Sequence, residues 1–311
     1  MDNLKIGIPR SLYYYYFKDL WINFFKNLDI DIIVSPKTNK EILDLGKDYA
    51  NDEMCISLKN YLGHVAYLQN KCDYVLIPRI DNYGINNQMC TNFQATYDIV
   101  NNLFENKILH YNIDLKQKET EKLAFIKMGV TLGKTKKESI VAYELAKEIS
   151  IKNRGKLINE NIEALKSKKL KIMLISHPYN TYDQYIGKPI IEILEKYNVE
   201  LIYAERFNNY KTNKLSNLIS STSYFKYSKE LLGAIPMTEG LIDGAIFITS
   251  FPCALDSIAN GLAMKKLKIP SIQLIVDDET SLVGFETRIE SFIDILERNK
   301  TYENSNFSKN G

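Results

Sequence analysis

The chain has 311 residues, 45% of them hydrophobic and 25% charged, with a formal net charge of +2. This is ordinary globular composition, long enough for two domains, and the near balance of charge gives no argument for a nucleic-acid partner. No apolar run reaches the ~20 residues needed to span a bilayer, and MDNLKIGIPR has no basic stretch leading into an apolar one, so a cytoplasmic protein with no membrane partner is expected.

Residues 5–9 (KIGIP) read as a short strand ended by proline, followed by an amphipathic helix that Ser11 would cap. A strand at 31–34 stops before Pro36, and Thr38 or Asn39 caps a helix through Leu45. Cys55 precedes a helix holding Leu58, Leu62, Val65 and Leu68. A third strand, 74–77, is closed by Pro78, and a polar loop leads to Cys90 and one helix over about 92–104. Residues 108–113 read as a fourth strand. Strands alternating with helices imply a parallel sheet with right-handed crossovers, so 1–115 form a first α/β unit.

Residues 116–168 lose the strand signal and read as a helical connector, with helices at 121–129, 137–153 and 159–166. The alternation restarts at 171–176 (KIMLIS), which ends in His177-Pro178-Tyr179. A helix over 183–197, a strand at 199–203 and a mixed helical region, 210–238, follow. The run 244–251 has the β-branched and aromatic content of a buried parallel strand, and Pro252 should stop it. Cys253 comes next, before a helix through Ile258, Leu262 and Met264 that Asp256 and Ser257 would cap. A strand at 271–276 and a helix at 286–298 complete a second unit, 169–299, leaving a polar tail, 300–311, expected to be disordered. The fold class is therefore α/β: two open parallel-sheet, flavodoxin- or Rossmann-like units joined by a helical connector.

Open α/β sheets bind ligands at the carboxyl ends of their strands. Cys55, Cys90 and Cys253 all fall at strand-end or loop-to-helix positions, from which they could face one cleft between the units. Cys72 lies at the opposite end of its strand. Free cysteines are commonly small buried hydrophobes, and the absence of any CxxC pair argues against zinc ribbons, ferredoxin-type clusters and thioredoxin chemistry. A cluster with dispersed single ligands stays open beside the packing reading. His177 ends a strand at the ligand edge, whereas His64 and His110 read as structural. Arg10 and Arg79 follow strand-terminal prolines and could hold an anion or backbone carbonyls. Asp277, Asp278 and Glu279, with Arg288 and Glu290, read as a solvated charge run or as an acid/base or Mg²⁺ site. There is no GxGxxG after the first strand, no GxxxxGK[ST] and no G-x-S-x-G elbow, which excludes the signatures of nucleotide-binding Rossmann domains, P-loop ATPases and α/β-hydrolases.

The opening IGIPRSLYYYYFKDLWINFFKNLDIDIIVSPKTNKEIL resembles the acyl-CoA dehydratase activase-related proteins, or CoA protein activases. These are related to the cluster-carrying D-component of 2-hydroxyacyl-CoA dehydratases and benzoyl-CoA reductases. The resemblance continues through CISLKNYLGHVAYL, DYVLIPRI, SHPYNTYDQYI, ITSFPCALDS and IQLIVDDETSLVGFETRIESFIDIL. It implies a [4Fe-4S] cluster held by Cys55, Cys90 and Cys253, with one iron open. Lys59, Arg79 and His177 would shape the surrounding field or hold an anionic group, and Asp256 and Ser257 would cap the helix and orient Cys253. The neighbours depart from the family pattern: Ile56-Ser57-Leu58-Lys59, Cys90-Thr91 and Cys253-Ala254-Leu255-Asp256-Ser257 stand where the family has Pro-x-Lys, Cys-Pro and Cys-Gly-Pro-Asp-Ser. The implied role is that of a redox protein of the 2-hydroxyacyl-CoA dehydratase type. It would receive low-potential electrons from a separate ATP-dependent activase, an actin-like or sugar-kinase-like ATPase, and act on an acyl-CoA as a homo- or heterodimer. The alternative is a non-catalytic, cluster-holding scaffold or electron relay with the same fold.

Overall fold

Short apolar strands separated by amphipathic helices give the chain its architecture, which a computed structural model describes for residues 4–278 and 282–307. The chain divides into two units, residues 1–156 with 224–227, and residues 157–223 with 228–311.

The first unit carries β1 (Lys5–Ile8), α1 (Tyr14–Asn27), β2 (Asp31–Val34), α2 (Lys40–Tyr49), α3 (Ile56–Leu68), β3 (Tyr74–Asn82), α4 (Thr91–Gln94), α5 (Thr96–Leu103), β4 (Ile108–Asp114), α6 (Glu121–Thr131) and the start of α7 (Lys136–Ala164). Its sheet is all parallel in the order β2-β1-β3-β4. The second unit carries β5 (Leu170–Ile175), α8 (Pro178–Thr181), α9 (Lys188–Glu195), β6 (Val199–Tyr203), α10 (Asn209–Leu215), α11 (Lys226–Met237, past its first residues), β7 (Gly244–Ser250), α12 (Ala254–Lys266), β8 (Ser271–Val276) and α13 (Leu282–Phe307). Its order, β6-β5-β7-β8, is again all parallel, so the two sheets have the same topology. Both are open parallel-sheet units, as the alternation of strands and helices predicts.

The central strands are apolar because helices cover both faces. All seven residues of β7 are buried. Phe247 and Ala245 join Met173, Ile175 and Ala263 in a core under α11 and α12. In the first unit Phe24, Phe125, Tyr111 and Trp21 build the core, with Trp21 Nε1 donating to Tyr111 Oη at 2.9 Å.

Local differences from the expectations have local causes. β3 runs through Pro78 instead of stopping there. β1 pairs with β3 only at Tyr74 and Val75, so at Pro78 that flank is open and the missing N–H costs no ladder bond. The helix expected over 92–104 breaks at Ala95 into α4 and α5. Ser11 does not cap α1; its hydroxyl donates to the Ser57 carbonyl, and Asn39 caps α2 by accepting from Ile42 N at 2.9 Å. α7 is a single helix of 29 residues where the pattern suggests two. α13 continues to Phe307, and residues 308–311 of the tail lie outside the described residues.

Candidate functional site

In each sheet the chain reverses its winding between the first and third strands, and ligands of open α/β sheets bind at such a switch point. In the second unit the elements leaving β5 and β7 are tied together there. His177 follows β5 and is 5% exposed. Its Nε2 donates to Asp256 Oδ1 at 3.0 Å, and its ring stacks on Tyr179 with centroids 5.0 Å apart. Cys253 follows β7 and is the N-cap of α12, its Sγ accepting from Asp256 N at 3.5 Å. Asp256 therefore serves both groups, its amide the thiol and its carboxylate the imidazole. Ser257 Oγ donates to the Cys253 carbonyl at 2.8 Å. The capping differs from the expectation: Cys253 is the N-cap, and Asp256, three residues into the turn, sends its carboxylate to His177. Ser250 Oγ to Asn180 Oδ1 at 2.6 Å and Ser176 Oγ to the Ile248 carbonyl at 2.9 Å complete the seam.

In the first unit Cys55 is the N-cap of α3 and Cys90 that of α4. Asn92, in the first turn of α4, donates from Nδ2 to Cys55 Sγ at 3.7 Å, which brings the two loop-to-helix junctions together. Tyr13, fully buried, donates to the Phe93 carbonyl at 3.3 Å. Burial pushes its phenol up, and the neighbouring Cys90 thiol adds to that shift. Lys59 lies one turn into α3, half-buried. Arg79 is partly exposed and faces Asp98 at 3.8 Å. Arg10 spends its Nε on the Ser35 carbonyl at 2.9 Å, so it holds backbone. His64 is wholly buried between Ser35 Oγ at 2.9 Å and Thr38 Oγ1 at 3.0 Å. Burial, helped by Arg10, lowers its pKa to about 3, so it is a neutral core histidine as expected. His110, in β4, lies against Tyr97 of α5 with ring centroids 4.8 Å apart and planes tilted by 56°. Cys72 Sγ, at the amino end of β3, donates to the Leu68 carbonyl at 3.5 Å. Arg288 donates to the Gln273 carbonyl at 2.7 Å, and Glu279 lies outside the described residues.

The sequence reading missed a polar knot beside β6. Buried Glu205 accepts from Tyr182 Oη, which in turn accepts from Arg206 Nε at 2.8 Å, while the Arg206 guanidinium lies 4.0 Å over the Tyr203 ring. A pocket of about 280 Å³ borders it, lined by Glu160, Asn161, Tyr203 and Arg206 among others. Only the Glu205-Arg206 dipeptide after a strand could have signalled it.

Cys55 and Cys90 belong to the first unit and Cys253 to the second. Among the described residues no group of three or more His, Cys, Asp or Glu side chains is gathered so as to hold a metal ion. The grouping of these three thiols on a [4Fe-4S] cluster rests on the resemblance alone.

The class these features define is an open-sheet α/β protein with thiols at the ligand edge of each unit. The chain belongs to the family of the CoA enzyme activase uncharacterised domain, whose model matches residues 5–207. No curated protein matches it. Among solved structures it is similar to the SBP FpvC from Pseudomonas aeruginosa in complex with Mn²⁺, at 9% identity and a TM-score of 0.29, over 95% of this chain and 98% of that one. A sugar transporter from Clostridium phytofermentans matches at 10% identity and a TM-score of 0.21, over 96% and 94%. Likeness at that level carries no argument.

The family corrects the functional expectation. It is an activase domain for a CoA enzyme, which overturns the reading of this chain as the iron–sulfur, electron-transferring dehydratase component of anaerobic metabolism. The cluster-holding scaffold or relay gains no support in its place. The family match bears out the resemblance to activase-related proteins and does not reach the relation to the D-component. The described residues contain no helix long and apolar enough to cross a membrane.

Proposed function

We propose that this chain is a protein-binding module in the activation of a CoA-dependent enzyme, acting on that enzyme or on the ATPase that drives its activation. Its α/β units would share descent with those of the D-component without sharing the D-component's metal chemistry. The observation that carries the reading is the family match, which runs through the whole first sheet and on to Phe207 in the second unit. Recognition of the CoA enzyme or ATPase would use the strand-end edges, where Arg79 and Lys59 lie in the first unit and the His177–Asp256 pair in the second.

The test is reconstitution. The purified chain is added to a CoA dehydratase of this activation type with its ATPase, and complex formation and the rate of activation are measured. The chain should co-elute with one of the two and change the activation rate while hydrolysing no ATP alone. Steady ATP turnover by the chain by itself, or failure to bind either protein, would overturn the reading.

A further inference from the structure

β6 is an edge strand of the second sheet, and its peptide groups can be followed one by one. Ala204 N donates to the Leu174 carbonyl at 2.9 Å, so Ala204 and the residues two and four before it bond to β5. Peptide groups alternate in direction along a parallel strand, so those of Val199, Leu201 and Tyr203 point outward. At Tyr203 the outward pair is taken. Asn161 of α7 accepts from Tyr203 N at 2.8 Å through Oδ1 and donates from Nδ2 to the Tyr203 carbonyl at 3.1 Å. This buried side-chain amide stands where the peptide group of a fifth strand would stand. Two residues back, Leu201 presents the same outward N–H and C=O, and among the described residues no group bonds to them. The pocket of about 280 Å³ beside β6 opens there, with Glu160, Ala164, Val199, Glu200 and Leu201 on its walls. That is just under the ~300–1,000 Å³ of small-molecule pockets, and it suits a short stretch of extended chain.

The charges around the pocket say what fills it. Side chains alternate along a strand, so Glu200 shares a face of β6 with Ile202 and Ala204. Ala164 packs against the core those two join, so Glu160, one turn before Ala164 on α7, and Glu200 flank the same groove. Arg206 Nη1 lies 3.9 Å from Glu160, too long for a hydrogen bond, while its Nε is on Tyr182 and its guanidinium over Tyr203. Lys171, in register with Glu200 on β5, spends its Nζ on the Ser167 carbonyl at 3.0 Å. Glu200 forms no ion pair among the described residues. Two carboxylates thus border the open peptide group of Leu201. A second copy of this edge would set those acids against their own kind, which disfavours self-pairing. They select an extended segment that carries Lys or Arg.

We propose that the β6 edge at Leu201 docks an extended, basic segment of a partner protein, which adds to the second sheet as a fifth strand. The segment's main chain exchanges hydrogen bonds with Leu201 N–H and C=O, and its Lys or Arg lies between Glu160 and Glu200. The inference stands independently of the role in CoA-enzyme activation. Fluorescence anisotropy with the full chain and labelled peptides tests it. The probe Thr-Val-Lys-Val-Lys-Thr should bind with a Kd of about 100 µM or tighter. The same peptide with Glu for Lys, and its backbone N-methylated form, should each bind about tenfold more weakly or worse. Leu201→Pro removes the outward N–H where an edge strand tolerates proline, and should abolish binding with an unchanged circular dichroism spectrum. Glu160→Lys with Glu200→Lys should reverse the preference toward the Glu peptide, which keeps the test decisive even where Leu201→Pro fails to fold. Absence of binding by the Lys peptide at about 1 mM overturns the proposal. So does equal affinity for the N-methylated form, or a preference that the double lysine variant leaves unmoved.

Discussion

The crossing of α2 and α3 offers a sharp test of how this protein is packed. A Cβ on Gly63 would lie 1.9 Å from the Ile42 carbonyl oxygen, 2.9 Å from its carbon and 3.0 Å from Gly46 N. A Cβ on Gly46 would lie 2.0 Å from the Lys59 carbonyl oxygen. Two glycines thus let the helix backbones touch, each seated on the other's carbonyl. Ordinary contact begins at 3.4 Å, so Gly63→Ala must push the helices apart by about 1.5 Å, the difference between 3.4 and 1.9 Å. The next residue is His64, whose 2.9 and 3.0 Å bonds to Ser35 and Thr38 cannot stretch that far and survive. Overpacking costs about 1–3 kcal/mol and each lost hydrogen bond about 1, while alanine returns about 1 in helix propensity. The net loss is about 2–4 kcal/mol, read as a lower urea midpoint at unchanged slope. A Gly63→Ala variant as stable as the native chain would show that the crossing is loose and that this reasoning fails.

Gly155 is the matched control: a Cβ there meets nothing within 4 Å, so Gly155→Ala in the middle of α7 should stabilise by about 0.5–1 kcal/mol, the opposite sign, in the same urea titration. His64 sets an acid limit. Its folded pKa of about 3 lies below the ordinary 6.5, so the unfolded chain binds the extra proton between those values. Stability should be constant above pH 6.5 on this account and fall on acidification toward pH 3, at up to about 1.4 kcal/mol per pH unit. His64→Gln should flatten that slope in denaturation series run at several pH values; an unaltered slope places the acid sensitivity elsewhere. Removing His177 as His177→Ala strands the Asp256 carboxylate in a buried site and should cost about 3 kcal/mol by thermal or urea unfolding. Burial pushes the Cys72 thiol up, so in native-state alkylation followed by mass spectrometry Cys72 should label more slowly than a cysteine of ordinary pKa and equal exposure.

The strand–helix alternation was legible because each central strand is an unbroken apolar run bounded by a helix cap, and period alone separates the two kinds of element. β7 with Cys253 behind it is the plainest case: the run 244–251 and the thiol that starts α12 stand in the structure where the pattern puts them. What period does not encode is which neighbour a group finds. Pro78 reads as a stop, yet it is harmless where β1 has already ended. Asp256 reads as a cap, yet its carboxylate goes to an imidazole 79 residues away in sequence. The same limit applies to the candidate site. Three cysteines at strand ends are visible in the sequence, but their gathering on a metal depends on distances that spacing does not encode. The knot of Tyr182, Glu205 and Arg206 was invisible for the converse reason, since nothing in three ordinary residues announces that they share one buried point.

The short return of residues 224–227 to the first unit has a consequence for how the protein is made. Gln88 donates to the Tyr224 carbonyl at 2.9 Å and accepts from Lys226 N at 3.0 Å, while Tyr227 stacks on Tyr16 with centroids 3.9 Å apart. On the ribosome, the main stretch ending at Lys156 must wait for 71 more residues, the difference between 227 and 156, before these partners exist. At about 5–20 residues per second that is a delay of roughly 4–14 s, during which the Gln88 backbone and the Tyr16 ring stay wet. A gene fragment cut at codon 156 would leave them so permanently, and its product should be stickier than the intact chain for that reason alone.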